Sequence, residues 1–429
     1  MNWSTFKTAD LISKGALEIG DGYRAKNSEM AKEGVPFVRA GDVVGRVNTN
    51  GTDLLSIESV EKVGRKRSMT GDVVMTTKGT IGRLAFVKDG DPEFIYSPQL
   101  CFWRSLDNDL IHPRWLFYAM RSQEMLSQIS WSAGQTDMAP YVSLTDQRTE
   151  FEITLPTIHE QHEIAAILGA LDDKIELNRK SAATLEEIER TLFRSWFVDY
   201  DPVWAKIRGL DPSYMDAESA ALFPCLFGED GLPKGWVKEP LSKFFKSKNE
   251  RAGNVRYREF SSSNQGIHPR DEKYKKQLSK DTSKNKIAKR GDFVFGLSRK
   301  VLNFGMMQQE IGAFSPAYRV YAVERGYDFS LFVYEYMKLF PEYFYQAVSA
   351  SSREGQAISE NSLLSLEVLD PPSEVLSAYV ILTKPLKDAL HVLSGQSQTL
   401  ADLRDTLLPR LTSGELSVGV ARKQVEDVA

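Results

Sequence analysis

Residues 152–192 and 367–407 are one stretch written twice in diverged form, at a constant offset of 215. Leu171, Asp173, Thr184, Leu185, Thr191 and Leu192 return as Leu386, Asp388, Thr399, Leu400, Thr406 and Leu407. Glu152 returns as Glu367, Pro156 as Pro371 and Ile188 as the similar Leu403, with no insertion or deletion. A repeat at half the length of a 429-residue chain means a duplicated structural unit. Two such units in one chain imply a pseudo-twofold molecule, and that arrangement suits a target that itself has two parts.

The repeated stretch has a helical period. Ile164, Leu168, Leu171, Ile175, Asn178, Ala182, Leu185, Ile188, Leu192 and Trp196 are spaced by threes and fours, a heptad seam with one irregularity near Ile188. Glu160 to Trp196 contains no Pro and one Gly, so it reads as one helix about 55 Å long at 1.5 Å per residue. Pro156 stands just before it, where proline begins a helix at no cost. Adding 215 gives Tyr379, Thr383, Leu386, Leu390, Leu393, Ser397, Leu400, Leu403, Leu407 and Leu411, so a second long helix keeps the seam. Pro385 lies inside it and should break or kink it, and Gly414 stands beyond its end as a stop. Matching seams most simply pack on each other; the alternative is that each helix covers its own domain. Asn178 is the polar seam residue, equivalent to Leu393, and such residues fix register.

The chain is too long for one ordinary core, so several domains are expected. Its composition is 42% hydrophobic and 26% charged, without a membrane-length apolar run. Lys7, Asp10, Lys14 and Glu18 make the N-terminus unlike a signal peptide. Cys101 and Cys225 are the sole cysteines, which points to a reducing, cytoplasmic setting and away from disulfides or a cysteine-ligated zinc. Net charge is −4 but unevenly spread. Residues 234–300 hold 19 Lys and Arg against 7 Asp and Glu, and residues 24–88 hold 12 against 7. The connector 199–230 holds 2 against 7 and contains Pro202, Pro212 and Pro224. Each half therefore has a basic segment, the electrostatic footprint of a polyanion; a solvated Lys-rich loop is the alternative for 273–290.

Ahead of each helix lies a mixed segment with a turn-then-strand signal, Gly71-Asp72-Val73-Val74-Met75 and Gly291-Asp292-Phe293-Val294-Phe295. A polar, basic loop follows each: Thr76-Thr77-Lys78-Gly79-Thr80, and Gly296-Leu297-Ser298-Arg299-Lys300. Gly134-Gln135 answers Gly355-Gln356. Arg65, Lys66, Arg67, Lys78, Arg83, Lys284, Lys286, Arg299 and Lys300 are candidate DNA contacts, as cations for phosphate or for the guanine edge. Gln135 and Gln356 suit adenine in the same way. Catalytic motifs fare less well. His159 and His162 are three apart, where a zinc-protease helix needs four. No Gly-Lys-Ser or Gly-Lys-Thr closes a phosphate loop, and no Ser-His-Asp pattern emerges among five histidines. Asp370-Pro371-Pro372-Ser373 is similar to the motif of adenine methyltransferases, but Ser373 replaces the aromatic that stacks on a flipped base, and no Gly-rich cofactor loop precedes it. The repeat gives a structural reading instead: Pro371, like Pro156, precedes a long helix.

Leu155-Pro156-Thr157-Ile158-His159-Glu160-Gln161-His162, continuing to Leu168, then 171–178 and 192–200, resembles the central conserved region of type I restriction-modification specificity subunits. Leu232-Pro233-Lys234-Gly235-Trp236 resembles the opening of their second target recognition domain, and 403–416 the conserved region closing the chain. Thr77-Lys78-Gly79-Thr80-Ile81-Gly82-Arg83 is similar to a strand-loop of the recognition domains; Ser298-Arg299-Lys300-Val301-Leu302 departs from that form in the second half.

The resemblance implies an α+β fold: two mixed α/β target recognition domains separated by two long helices packed as an antiparallel coiled coil, with a pseudo-twofold internal repeat. The expected divisions are recognition domains at 1–155 and 232–370, helices at 156–200 and 371–415, an acidic connector at 201–231 and a tail at 416–429. It further implies a non-catalytic subunit, each domain reading one half of a split double-stranded DNA target. Ile164, Leu168, Leu171, Ile175, Asn178, Leu185, Leu192, Leu386, Leu390, Leu393, Leu400 and Leu407 would form the seam that spaces the domains and docks two methyltransferase subunits. No cofactor is expected in this chain: S-adenosylmethionine, ATP and Mg would belong to the methyltransferase and the restriction/translocase subunits. A related type II assembly, a lone methyltransferase or nuclease, and a coiled-coil scaffold without DNA binding are the alternatives.

Overall fold

The computed structural model describes residues 3–135, 139–263, 266–270, 281–296, 302–347 and 359–427. The chain forms two compact units, residues 1–181 with 393–429, and residues 182–392. Each long helix is therefore divided between them.

In the first unit, β1 (Ser4–Lys7), β2 (Leu17–Asp21), β3 (Val73–Thr76), β4 (Leu84–Phe86), β5 (Leu100–Ser105) and β6 (Glu152–Leu155) are the strands that matter here. An antiparallel sheet runs β2-β5-β3-β4, with Val73 opposite Trp103 and Leu17 opposite Ser105. Residues 73–76 are buried on both faces, which suits the β-branched, apolar run Val73-Val74-Met75. The expected turn before it is present: Gly71 has φ +92°, and its missing side chain would sit 3.2 Å from Pro113. Asp72 is buried beneath that turn. Its carboxylate accepts from the Arg104 guanidinium at 2.6 and 2.7 Å, from the Tyr96 hydroxyl at 2.6 Å and from the Met69 N–H at 2.8 Å. β1 pairs with β6, Ser4 facing Leu155, and β6 leads into the first long helix.

The second unit repeats this plan with β7 (Val237–Pro240), β8 (Phe245–Lys248), β9 (Phe293–Phe295), β10 (Phe304–Met306), β11 (Arg319–Val323) and β12 (Glu367–Asp370). Its sheet runs β8-β11-β9-β10, again antiparallel, and β7 pairs with β12. Gly291 has φ +90° and abuts Tyr327 as Gly71 abuts Pro113. Asp292 is buried too, but its cation comes from another strand: Lys248 on β8 donates to it at 2.7 Å. The duplicated fold has kept the buried carboxylate and changed its partner.

The first long helix spans Ile158–Phe197 and the second Ser373–Thr412. A capping box starts the first: Glu160 N–H donates to the Thr157 hydroxyl at 3.3 Å, and Thr157 N–H donates to the Glu160 carboxylate at 3.1 Å. Gly169 lets the Arg114 guanidinium lie against the helix, where a methyl group would be 2.7 Å from it. In the first unit the two helices pack antiparallel: Asp172 binds Arg404 at 2.7 Å, and the Asn178 amide donates to Gln396 at 3.4 Å. In the second unit Glu189 binds Lys387 at 3.0 Å. Ile164, Leu168, Leu171, Ile175, Leu400, Leu407 and Leu411 are buried in the first unit's core, with Trp103 and Trp115. Phe193, Trp196, Phe197 and Tyr379 join Phe332 and Trp236 in the second.

Two details differ from the sequence expectation. The second helix is not broken at Pro385, which is exposed, as is the neighbouring Ile381 whose carbonyl loses its donor; solvent can reach that site. The irregularity near Ile188 resolves into a one-residue slip: Ile188 is exposed and Glu189 is buried in its place. Gly414 does end the helix, at φ +76°. The tail forms a further helix, Val418–Glu426, whose Ala421 is buried and whose Arg422 binds Glu163 at 2.9 Å.

Candidate nucleic-acid interface

β3 ends at Thr76, and residues 77–83 carry the chain across to β4. Both ends of this loop are anchored. The Thr77 N–H and hydroxyl donate to the Gln99 carbonyl at 2.8 and 3.1 Å, and the Gly82 N–H donates to the Thr76 carbonyl at 2.9 Å. The Thr76 hydroxyl donates to the Thr80 carbonyl and accepts from the Arg83 N–H at 2.9 Å. Gly79 and Gly82 take φ near +80°, the backbone shape this tight tip requires. Neighbouring segments brace it: Val142 N–H donates to the Thr77 carbonyl at 3.0 Å, and the Lys78 ammonium lies 5.8 Å from the Tyr141 ring.

Lys78 and Arg83 are exposed on this rigid tip, and among the described residues no carboxylate pairs with either. The helix Gln123–Ala133 borders the tip through Ile129, 3.9 Å from where a Gly82 side chain would be. Gln135 follows the end of that helix and is exposed, as are Trp131 and Tyr141. Unpaired cations, an amide and aromatic rings on a fixed loop can meet phosphates, base edges and base faces.

The other basic run lies elsewhere. Arg65 binds Glu18 at 3.0 Å and Lys66 binds Asp21 at 2.8 Å, both carboxylates being on β2, the sheet edge opposite β4. Lys66 also donates to the Gly22 carbonyl at 3.0 Å, and Arg67 pairs with Glu93. The sequence groups these cations with Lys78 and Arg83; the fold does not, and it supplies each with an internal partner.

In the second unit, Arg299, Lys300 and Gln356 lie outside the described residues. Lys284 is exposed, 4.0 Å from Asp281. Lys286 begins a strand, Lys286–Lys289, and its ammonium donates to the Tyr318 carbonyl at 2.8 Å. Burial pushes the Lys286 amine down, and the charges of Arg251 and Arg319 push it further, so three cations share one neighbourhood. Arg319 faces Phe295, the last residue of β9, so the group sits where the chain leaves β9 for β10. That is the end of the sheet that carries Lys78 and Arg83 in the first unit. Arg319 is held by Glu360 at 2.8 Å, and the Arg251 guanidinium donates to the Lys284 carbonyl at 2.7 Å. Sequence reading missed Arg251, Arg319, Trp131 and Tyr141. Only tertiary pairing, such as the bridge between Arg251 and Lys286, brings them to the site.

The residues weighed for catalysis have structural partners. Asp370 binds Arg325 at 2.9 Å, and Arg325 also donates to the Ser373 hydroxyl and the Pro371 carbonyl, which fixes the start of the second helix. His159 is exposed, and the His162 ring lies 4.3 Å from that of His112. Among the described residues, no group of three or more His, Cys, Asp or Glu is placed to hold a metal, and no helix is long and apolar enough to cross a membrane.

One structural unit is present twice, with cations at the same end of two equivalent sheets. Residues 1–187 match the type I restriction modification DNA specificity domain. The chain is 29% identical to the HindI specificity subunit of Haemophilus influenzae over 44% of its own length and 41% of that protein's. It is 21% identical to the MjaIX specificity subunit of Methanocaldococcus jannaschii over 97% of its length and 94% of that protein's. The crystal structure of a type I restriction-modification S subunit from M. genitalium shares the fold, with a TM-score of 0.56, 16% identity and 96% of each chain covered. The chain is thus similar to type I restriction-modification specificity subunits, its first 187 residues matching their DNA specificity domain.

Proposed function

We propose that this chain is the DNA sequence-specificity subunit of a type I restriction-modification complex, each unit reading one half of a bipartite, asymmetric double-stranded target. The observation that carries this reading is the placement of cations, exposed at Lys78 and Arg83 and half-buried at Lys286 and Arg319, at the same end of two topologically equivalent sheets. In the first unit Lys78 and Arg83 meet the duplex, with Gln135 in reach of a base edge; in the second, Lys284 and Lys286 belong to the corresponding surface, and Arg299, Lys300 and Gln356, outside the described residues, are proposed contacts on their sequence alone. Arg65, Lys66 and Arg67 would contribute at the margin, after giving up an internal partner. The seam of the long helices sets the spacing of the half-sites and docks two methyltransferase subunits. Methyl transfer and cleavage belong to those partners and to restriction/translocase subunits, which bring S-adenosylmethionine, ATP and Mg, and the assembly works in the cytoplasm.

Co-expression with a type I methyltransferase subunit, followed by mapping of methylated adenines, tests the proposal. One motif of two specified halves around an unspecified spacer is the expected result. Methylation at an undivided motif, or none in a folded complex, would overturn it.

A further inference from the structure

The +215 relation carries Asp172 onto Lys387 and Arg404 back onto Glu189. The pairs Asp172–Arg404, at 2.7 Å, and Glu189–Lys387, at 3.0 Å, therefore occupy equivalent places in the two units, with their charges reversed. Both are set into the packing: the side chains of Asp172 and Arg404 are less than one-fifth exposed, that of Glu189 one-tenth and that of Lys387 just under one-third.

The reversal has a consequence for partner choice. Along the seams Leu171 and Leu386, Ile175 and Leu390, Leu185 and Leu400, and Leu192 and Leu407 are alike at equivalent positions, so apolar packing at these places does not tell the second helix from another copy of the first. In each pair the two residue numbers have the same sum. A first helix pairing in this register with the first helix of another molecule would set Asp172 against Glu189, twice. Two second helices would set Lys387 against Arg404, twice. Both self-pairings meet like charge, and the native pairing meets opposite charge at both places. Had the two ion pairs the same polarity, both self-pairings would be attractive.

We infer that the reversed pairs Asp172–Arg404 and Glu189–Lys387 select a second helix as partner of the first and reject the pairing of two first helices, or two second helices, from separate copies of this chain. Each unit's globular part supports its own polarity. In the first, the Tyr118 hydroxyl donates to Asp172 at 2.8 Å and Arg121 lies 3.7 Å from it; in the second, Glu335 lies 3.8 Å from Lys387. The inference does not depend on DNA recognition.

The test is the solution mass of the full-length chain after unfolding and refolding at high concentration, by light scattering on a sizing column. The wild type should return as a 48.4-kDa monomer. The double variant E189K/K387E keeps an intrachain pair at this place but gives both units one polarity, and should yield a substantial fraction of twice that mass. D172R/R404D should do the same independently, so loss of folding in one variant leaves the other decisive. The fourfold variant restores the alternation and should return to monomer. A folded double variant that stays monomeric, or a fourfold variant that remains dimeric, would each overturn the inference.

Discussion

Asp72 shows how one side chain organises the first unit. It is buried, and it gathers a guanidinium, a phenol and a backbone N–H at the base of the strand whose far end carries Lys78. Removing one member of a buried pair leaves the other charge uncompensated, which typically costs about 3–5 kcal/mol. D72A should lower the first unit's stability by that order in urea unfolding followed by Trp103 and Trp115 fluorescence; a loss below about 1 kcal/mol would show that Arg104 finds solvent or Glu18 instead. Gly71-Asp72 and Gly291-Asp292 were legible as turns because a left-handed glycine and an acid before an apolar run is a local signal. Their different cations, Arg104 and Lys248, were not legible, because strand pairing decides which side chain arrives.

The same limit applies to the candidate DNA contacts. Sequence identifies cations, and only the fold reveals which of them already have carboxylates. K78A/R83A should weaken binding in the assembled complex and flatten its salt dependence by roughly one unit for each phosphate left without its cation. If one of them reads guanine, discrimination at a single position should fall by about 1–3 kcal/mol, and only in one half-site. Unchanged affinity and salt slope would remove this loop from the interface.

Among the elements, the long helices were the most legible, because a seam sustained over several heptads is a strong periodic signal. The one-residue slip at Glu189 was not, since a buried acid is admitted there by Lys387, a residue remote in sequence. The first helix is also bound to its globular part by charge. The Arg114 guanidinium, and then the Lys88 ammonium, hold the Asp173 carboxyl down at about 2. A carboxyl depressed in the folded state adds stability above its ordinary value near 4, and that contribution is lost as pH falls from there toward 2. The half-exposed side chain makes the effect modest. Urea midpoints of the wild type should fall more steeply over this range than those of D173N; parallel curves would mean that the ion pair adds nothing. Pro385 offers a complementary case. Its helix runs on without one hydrogen bond, so P385A should raise the second unit's stability by roughly 1–2 kcal/mol, and a lowered midpoint in thermal unfolding would contradict that.

For the whole molecule, the repeat announced two equivalent units, and the sheet orders β2-β5-β3-β4 and β8-β11-β9-β10 agree with it. What the sequence did not announce is that each unit takes half of both helices, because a helix reads as one continuous pattern whatever packs on its two ends. The most direct test of the account is helix length. Deleting 179–185 and 391–397 together removes one heptad from each helix and preserves the register that pairs Asp172 with Arg404 and Glu189 with Lys387. Seven residues shorten a helical rod by about 10 Å, or about three base pairs at 3.4 Å each. The half-sites also turn by roughly a third of the ~10.5-pair helical repeat. Mapping methylated adenines in cells that carry this variant with its partner subunits should show both half-sites unchanged and the spacer shortened by about two to four pairs. An unchanged spacer in a folded, active complex would contradict the claim that these helices measure the distance between two separately read half-sites.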